Sequence, residues 1–165
     1  MEKKMTHVSS DHKYLNGMLL RKELYNILRE RVIEYIVEKK RYRDKDYSAK
    51  KLATDIGTNT RYVSAVIKTA FDVNYSTYVN KYRIEEACSL LTDRRYKDLT
   101  VDEIADMVGF SNRQSFYTAF EKFEEMTPRR YRVLYMQLPA DIDMPKKKGR
   151  KLGSKNKSKE PDIDV

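Results

Sequence analysis

Residues 104–120 read IADMVGFSNRQSFYTAF, and residues 52–67 read LATDIGTNTRYVSAVI. The two stretches share one plan. In the earlier, Leu52-Ala53 leads to Gly57, Asn59, Val63 and Ile67; in the later, Ile104-Ala105 leads to Gly109, Asn112, Phe116 and Phe120. Only the turn differs, by one residue. A small residue, Ala53 or Ala105, suits a close crossing of two helices. Glycine suits a turn through positive φ. The asparagine then caps a second helix set at a steep angle to the first. This is the helix-turn-helix plan. One copy alone would favour a plain helical bundle, whereas two copies in a basic chain point to DNA binding.

The flanking segments carry helical spacing on both sides. Leu24, Ile27, Leu28, Val32, Tyr35 and Ile36 fall on one face of a helix expected from about Glu23 to Lys39. Ser48 caps the short helix that ends at Gly57, and Asn59 caps the next, about Thr60 to Phe71. Asn74 caps a linker helix from Tyr75 to about Leu91, a rod of about 25 Å at 1.5 Å per residue. Thr100-Val101-Asp102-Glu103 fits a capping box. Asn112 caps Arg113 to about Glu124, and Thr127 precedes Pro128 at the first position of a last helix running to about Leu138. The expected architecture is all-α, with seven helices over residues 21–138. Two helix-turn-helix subdomains, about 48–71 and about 100–124, are joined by the linker helix 75–91. Residues 1–20 are expected as a disordered leader and 139–165 as a flexible basic tail.

Composition agrees with a helical, polyanion-binding chain. The sequence has 165 residues, a net charge of +9, only 5 Gly and 4 Pro, and one cysteine, Cys88. A positive balance of this size favours nucleic acid over an acidic membrane surface. A lone cysteine forms no internal disulfide and no zinc finger, and Cys88 reads as a small core residue. No apolar run approaches a membrane span, and no signal peptide is expected at the start. No phosphate loop, dinucleotide glycine motif or clustered carboxylates is found, and His7 and His12 lie in the leader. The chain is therefore expected to be no enzyme, with no cofactor or metal, and to reside in the cytoplasm, associated with the nucleoid.

Over roughly residues 23–135 the chain resembles the AraC (arabinose-regulator) family. The resemblance rests on Val108-Gly109-Phe110-Ser111-Asn112, Ser115-Phe116, Phe120, Thr127-Pro128, Tyr131 and Arg132. The first half adds Leu52-Ala53, Gly57, Tyr62, Ile67-Lys68, Tyr78 and Arg83-Ile84-Glu85-Glu86-Ala87. It implies a homeodomain-like double helix-turn-helix, major-groove binding at a promoter and, most often, activation through RNA polymerase. Family members usually carry Gly where this chain has Asp72 and Glu125, and most carry a sensor domain, which is not expected here. Control would then rest on abundance or on a partner.

The face of 60–71 opposite its core carries Thr60, Arg61, Ser64, Ala65 and Lys68. Arg61 can reach guanine O6 and N7, Ser64 is a general donor or acceptor, and Ala65 can touch a thymine methyl. Thr60 and Lys68 suit phosphates. The resemblance maps the family's base-reading positions onto Arg61, Ser64 and Ala65, with a long basic side chain common where Ala65 stands. On 113–124 the matching face is Arg113, Gln114, Ser115, Tyr117, Thr118 and Glu121. Gln114 can read adenine at N6 and N7, and Arg113 guanine or a phosphate. Glu121 stands where the first copy has Lys68 and would repel the backbone. Arg83 falls on the apolar side of its helix, which favours a partly buried ion pair, with Glu86 as a candidate partner, over a phosphate contact.

From Lys146 to Lys159 there are eight positive charges and no acid. Lys146, Lys147, Lys148, Arg150, Lys151, Lys155 and Lys157 are phosphate candidates, and residues 149–157 resemble an AT-hook flank. Lys148 and Lys151 replace the first Arg and the Pro of that motif. The expected partner is promoter DNA, bound by a monomer across two adjacent major grooves, with RNA polymerase as a further partner. A regulator that binds another protein, or an architectural binder of A·T-rich DNA, remains as an alternative.

Overall fold

The computed structural model describes the backbone of residues 8–136 and the side chains of residues 21–136. Over that span the helical patterning is realised as seven α-helices, with no strand among the described residues. They are α1 (Val8–Ile33), α2 (Ala49–Asp55), α3 (Thr60–Phe71), α4 (Tyr75–Thr92), α5 (Val101–Met107), α6 (Arg113–Glu124) and α7 (Pro128–Met136). A π-helical turn over Glu34–Glu38 continues α1, and 3₁₀ turns occupy Arg41–Arg43 and Arg94–Tyr96.

Two hydrophobic cores divide the molecule. Val32, Ile36, Leu52, Val63, Ile67 and Tyr78 lie in the first. Ile84, Leu91, Ile104, Phe116, Phe120 and Tyr131 lie in the second. Helix α4 serves both. Its N-terminal half gives Tyr78 and Val79 to the first core, and its C-terminal half gives Ile84, Ala87 and Leu91 to the second. At roughly 1.5–3 kcal/mol for each large side chain removed from water, both ends of α4 are fastened, so the helix joins the two units as a strut. Cys88 is partly buried against the second core.

Helix boundaries follow the capping chemistry. The side chains of Ser48, Asn59, Asn74 and Asn112 each accept a backbone N–H three residues on, from Lys51, Tyr62, Thr77 and Ser115. Thr100 and Glu103 form a reciprocal capping box. Thr127 Oγ1 accepts from the Arg130 amide at 3.3 Å.

Two expectations are corrected. Helix α1 begins at Val8, not near Glu23 as the apolar spacing led us to expect. Extending an existing helix adds one hydrogen bond per residue without a new nucleation cost. Residues 1–7 and the tail 139–165, with all its phosphate candidates, lie outside the described residues. Leu24 and Ile27 were expected inward, but they are 46% and 53% exposed. Among the described side chains of α1, Tyr25, Leu28 and Val32 reach the first core.

Asp72 and Glu125, at positions where the resemblance implies glycine, both adopt the left-handed conformation, at φ 55° and φ 58°. Each is the left-handed C-cap of a helix, Asp72 of α3 and Glu125 of α6. A non-glycine residue there costs about 1–2 kcal/mol. Glu125→Gly is expected to stabilise the second unit by about 1 kcal/mol, read as a higher urea midpoint with an unchanged m-value. A lower midpoint would show that contacts of the Glu125 side chain outweigh the strain.

Candidate nucleic-acid interface

Helices α3 and α6 are built alike. Asn59 and Asn112 set the starts of α3 and α6, each through one side-chain oxygen on the N3 amide. Val63, Val66 and Ile67 anchor α3 inward, and Phe116, Ala119 and Phe120 anchor α6. The opposite faces are open to solvent. Thr60, Arg61, Ser64, Ala65 and Lys68 are exposed on α3, as are Arg113, Gln114, Ser115, Thr118 and Glu121 on α6.

The side chains on these faces are not equally available. Arg61 has no hydrogen-bond or ion-pair partner among the described residues, so its guanidinium is open to a ligand. Lys68 is folded back onto the end of its own helix, 2.7 Å from Asp72 Oδ1 and 3.3 Å from the Asp72 carbonyl. Arg113 donates to Asp102 Oδ2 at 3.0 Å and to the Tyr117 hydroxyl at 3.3 Å, with its guanidinium over the Tyr117 ring. The Arg113 guanidinium can therefore take another partner only by leaving Asp102. Gln114 Nε2 donates to Thr118 Oγ1 at 3.4 Å, a weak bond that leaves the amide oxygen free to accept. Tyr117, expected on the DNA face, is half-buried and stands edge-to-face with Phe116. Tyr62, not expected there, is 51% exposed on α3.

The two units are locked together by the loop between the first helix and α2. Arg83 of α4 donates through Nε to the Tyr42 carbonyl at 2.7 Å and through Nη2 to the Asp44 carbonyl at 3.1 Å. Its guanidinium also lies over the Phe110 ring of the second unit. The expected Arg83–Glu86 pair does not form. The loop delivers carbonyls to Arg83, and Glu86 is taken by Lys40 at 3.2 Å and Arg43 Nε at 2.9 Å. Burial alone would raise the Glu86 carboxyl, but the hydrogen bonds from Arg43 and Lys40 outweigh it and hold the group below the usual carboxylate range. Lys45 pairs with Asp106 of α5. The Tyr42 and Arg43 carbonyls press against Gly109. The angle between α3 and α6 is thus set by backbone contacts as well as by α4.

The sequence reading does not single out Lys122, which is exposed on α6, has no ion-pair partner among the described residues, and shares a groove with Gln114, Ser115 and Thr118. Its spacing four residues after Thr118 was the available signal.

A family model described as a helix-turn-helix domain matches residues 52–133. An HTH-type transcriptional regulator of Bacillus subtilis, YtdP, is 33% identical over 81 residues, covering 49% of this chain and 10% of that protein. The transcriptional regulatory protein HptR of Staphylococcus aureus is 36% identical over 80 residues, covering 48% of this chain and 30% of that protein. The chain thus spans a minor part of the length of these curated relatives. Among solved structures, the C-terminal domain of the response regulator yesN from Fusobacterium nucleatum superposes with a TM-score of 0.55 at 30% identity, covering 62% of this chain and 96% of that one. The C-terminal domain of AraT, a response regulator from Geobacillus stearothermophilus, gives 0.61 at 26% identity, covering 72% and 94%.

Proposed function

The chain belongs to the AraC-type helix-turn-helix family of DNA-binding transcription regulators, and we propose that it binds a promoter or operator duplex by placing α3 and α6 in successive major grooves. The observation that carries this reading is the pair of capped helices, each anchored by a core and open on the other face, fixed to one strut. Adjacent major grooves on one side of B-DNA lie about 34 Å apart, so a monomer suffices. Arg61 reads guanine, Gln114 adenine, and Ser64, Ala65, Ser115 and Thr118 complete the base contacts. Arg113 joins them once it exchanges Asp102 for a base. Thr60 and Lys68 hold phosphates, and the basic tail adds sequence-independent attraction that salt weakens. RNA polymerase is the further partner, and activation the output.

A second reading has one specific support. Glu121 and Glu125 are exposed at the C-terminal end of α6, where carboxylates repel phosphates, so that end suits a protein surface. In vitro selection of bound sequences with the purified chain separates the two. A bipartite site is expected, with its halves about one helical turn apart. Arg61→Ala should then lose preference in one half and Gln114→Ala in the other, each weakening the selected site about tenfold against random duplex. Enrichment of no sequence would overturn the proposal in favour of the protein-binding reading.

A further inference from the structure

Between the N-terminal half of α4 and the reading face of α6 runs an open groove of about 390 Å³. Ser76, Thr77 and Asn80 form its α4 wall, and Ser115, Thr118 and Lys122 are among the residues of its α6 wall. The α4 residues stand at i, i+1 and i+4 and so share one side of that helix. No acidic side chain lines the groove, in a chain with 25 acids. Charge on α6 is divided to the same effect: Lys122 lines the groove, whereas Glu121 and Glu125 do not. The side chains of Ser76, Thr77, Asn80 and Lys122 have no hydrogen-bond partner among the described residues. The groove is therefore concave, donor-rich, acid-free and continuous with the base-reading residues of α6.

We propose that this groove seats the phosphate backbone of the bound duplex between its two half-sites, so that α4 is a DNA-binding element as well as a strut. This inference rests on the DNA-binding reading above. Lys122 supplies the cation, and the Ser76 and Thr77 hydroxyls and the Asn80 amide donate to phosphate oxygens. The seat also answers the Glu121 problem: the phosphate contact of α6 passes from that position to its neighbour, Lys122. Phosphate contacts position a protein without selecting sequence, so the expected signature differs from that of Arg61 or Gln114.

The test uses the full chain on its selected site, with phosphate-ethylation interference and a salt titration. The parent should show interference at phosphates between the half-sites. Lys122→Gln should weaken binding about five- to tenfold, equally on selected and random duplexes, and reduce the salt slope by about one. Asn80→Ala should remove the central interference signal while leaving the salt slope in place. Both positions are on the surface of their helices, and an unchanged melting curve checks that the fold is kept. A parent that protects its site while both variants bind as it does, with no central interference, overturns the phosphate seat alone. A parent that protects no site overturns the DNA-binding reading and the seat with it.

Discussion

Replacing Gly109 with alanine is expected to cost about 3–5 kcal/mol and to lower Tm by roughly 10 °C or more. Two effects add. Gly109 has φ +96°, where an L side chain is strained. The added Cβ would also stand 2.5 Å from the Tyr42 carbonyl oxygen, 2.6 Å from that of Arg43 and 2.8 Å from the Arg43 carbonyl carbon. These are backbone atoms, and Arg83 holds the loop that carries them, so they cannot swing aside as a side-chain tip can. Gly57 is the control built into the repeat. It occupies the corresponding turn of the first unit at φ +71°, with nothing within 4 Å of its Cβ position. Gly57→Ala should therefore cost only the conformational strain, about 1–2 kcal/mol. Urea midpoints of the two variants decide the matter. Equal losses would mean that the loop does not bear on Gly109 in solution.

That pair also shows what the sequence could reveal. Both glycines read correctly as positive-φ turns, because the requirement is local: a helix stop, a turn, and an asparagine cap a fixed distance on. The caps at Asn59, Asn74, Thr100 and Asn112 were legible for the same reason, since a cap bonds an amide three residues away. Tertiary approach carries no such signature. Nothing in the spacing around Gly109 announces that Tyr42 and Arg43, far back in the chain, lie against it. Leu24 and Ile27 failed in the opposite sense. Their periodicity is helical, but periodicity does not say how far along α1 the partner helix extends.

The candidate interface divides along the same line. Which residues face away from each core followed from the 3.6-residue period, and the exposed faces of α3 and α6 agree with it, apart from Tyr117 and Tyr62. What each side chain touches did not follow. The hold of Asp102 on Arg113 and of Asp72 on Lys68 depends on rotamers and neighbours. These pairs are exposed, and such pairs contribute at most about 1 kcal/mol, so a phosphate or a base can displace them at small cost. Arg61 needs no such exchange.

Arg83→Met is expected to destabilise the chain by about 2–3 kcal/mol and, separately, to blur its preference for the spacing between half-sites. The stability loss comes from the carbonyls. Tyr42 O loses the 2.7 Å bond from Arg83 Nε, whereas Asp44 O keeps the Tyr47 amide at 3.1 Å. An acceptor left unpaired in a partly buried place costs about 1–3 kcal/mol, and methionine preserves much of the packing of the stem. Lysine should not rescue. A single ammonium on a flexible stem cannot present the planar fork that spans two carbonyls and lies on the Phe110 ring. The spacing effect comes from what the loop joins. With Arg83 gone, the first unit meets the second through α4, the Lys45–Asp106 pair and the Gly109 contact, so the angle between α3 and α6 is less defined. Gel shifts on the selected site with one or two base pairs inserted between its halves measure this. The parent should reject the altered spacings, and Arg83→Met should reject them less, even at a temperature where it is fully folded. Gly109→Ala disturbs the same loop, so the double variant should lose less stability than the two single losses together. If Arg83→Met is less stable but discriminates spacing as the parent does, Arg83 supports the fold without setting the separation of the reading helices.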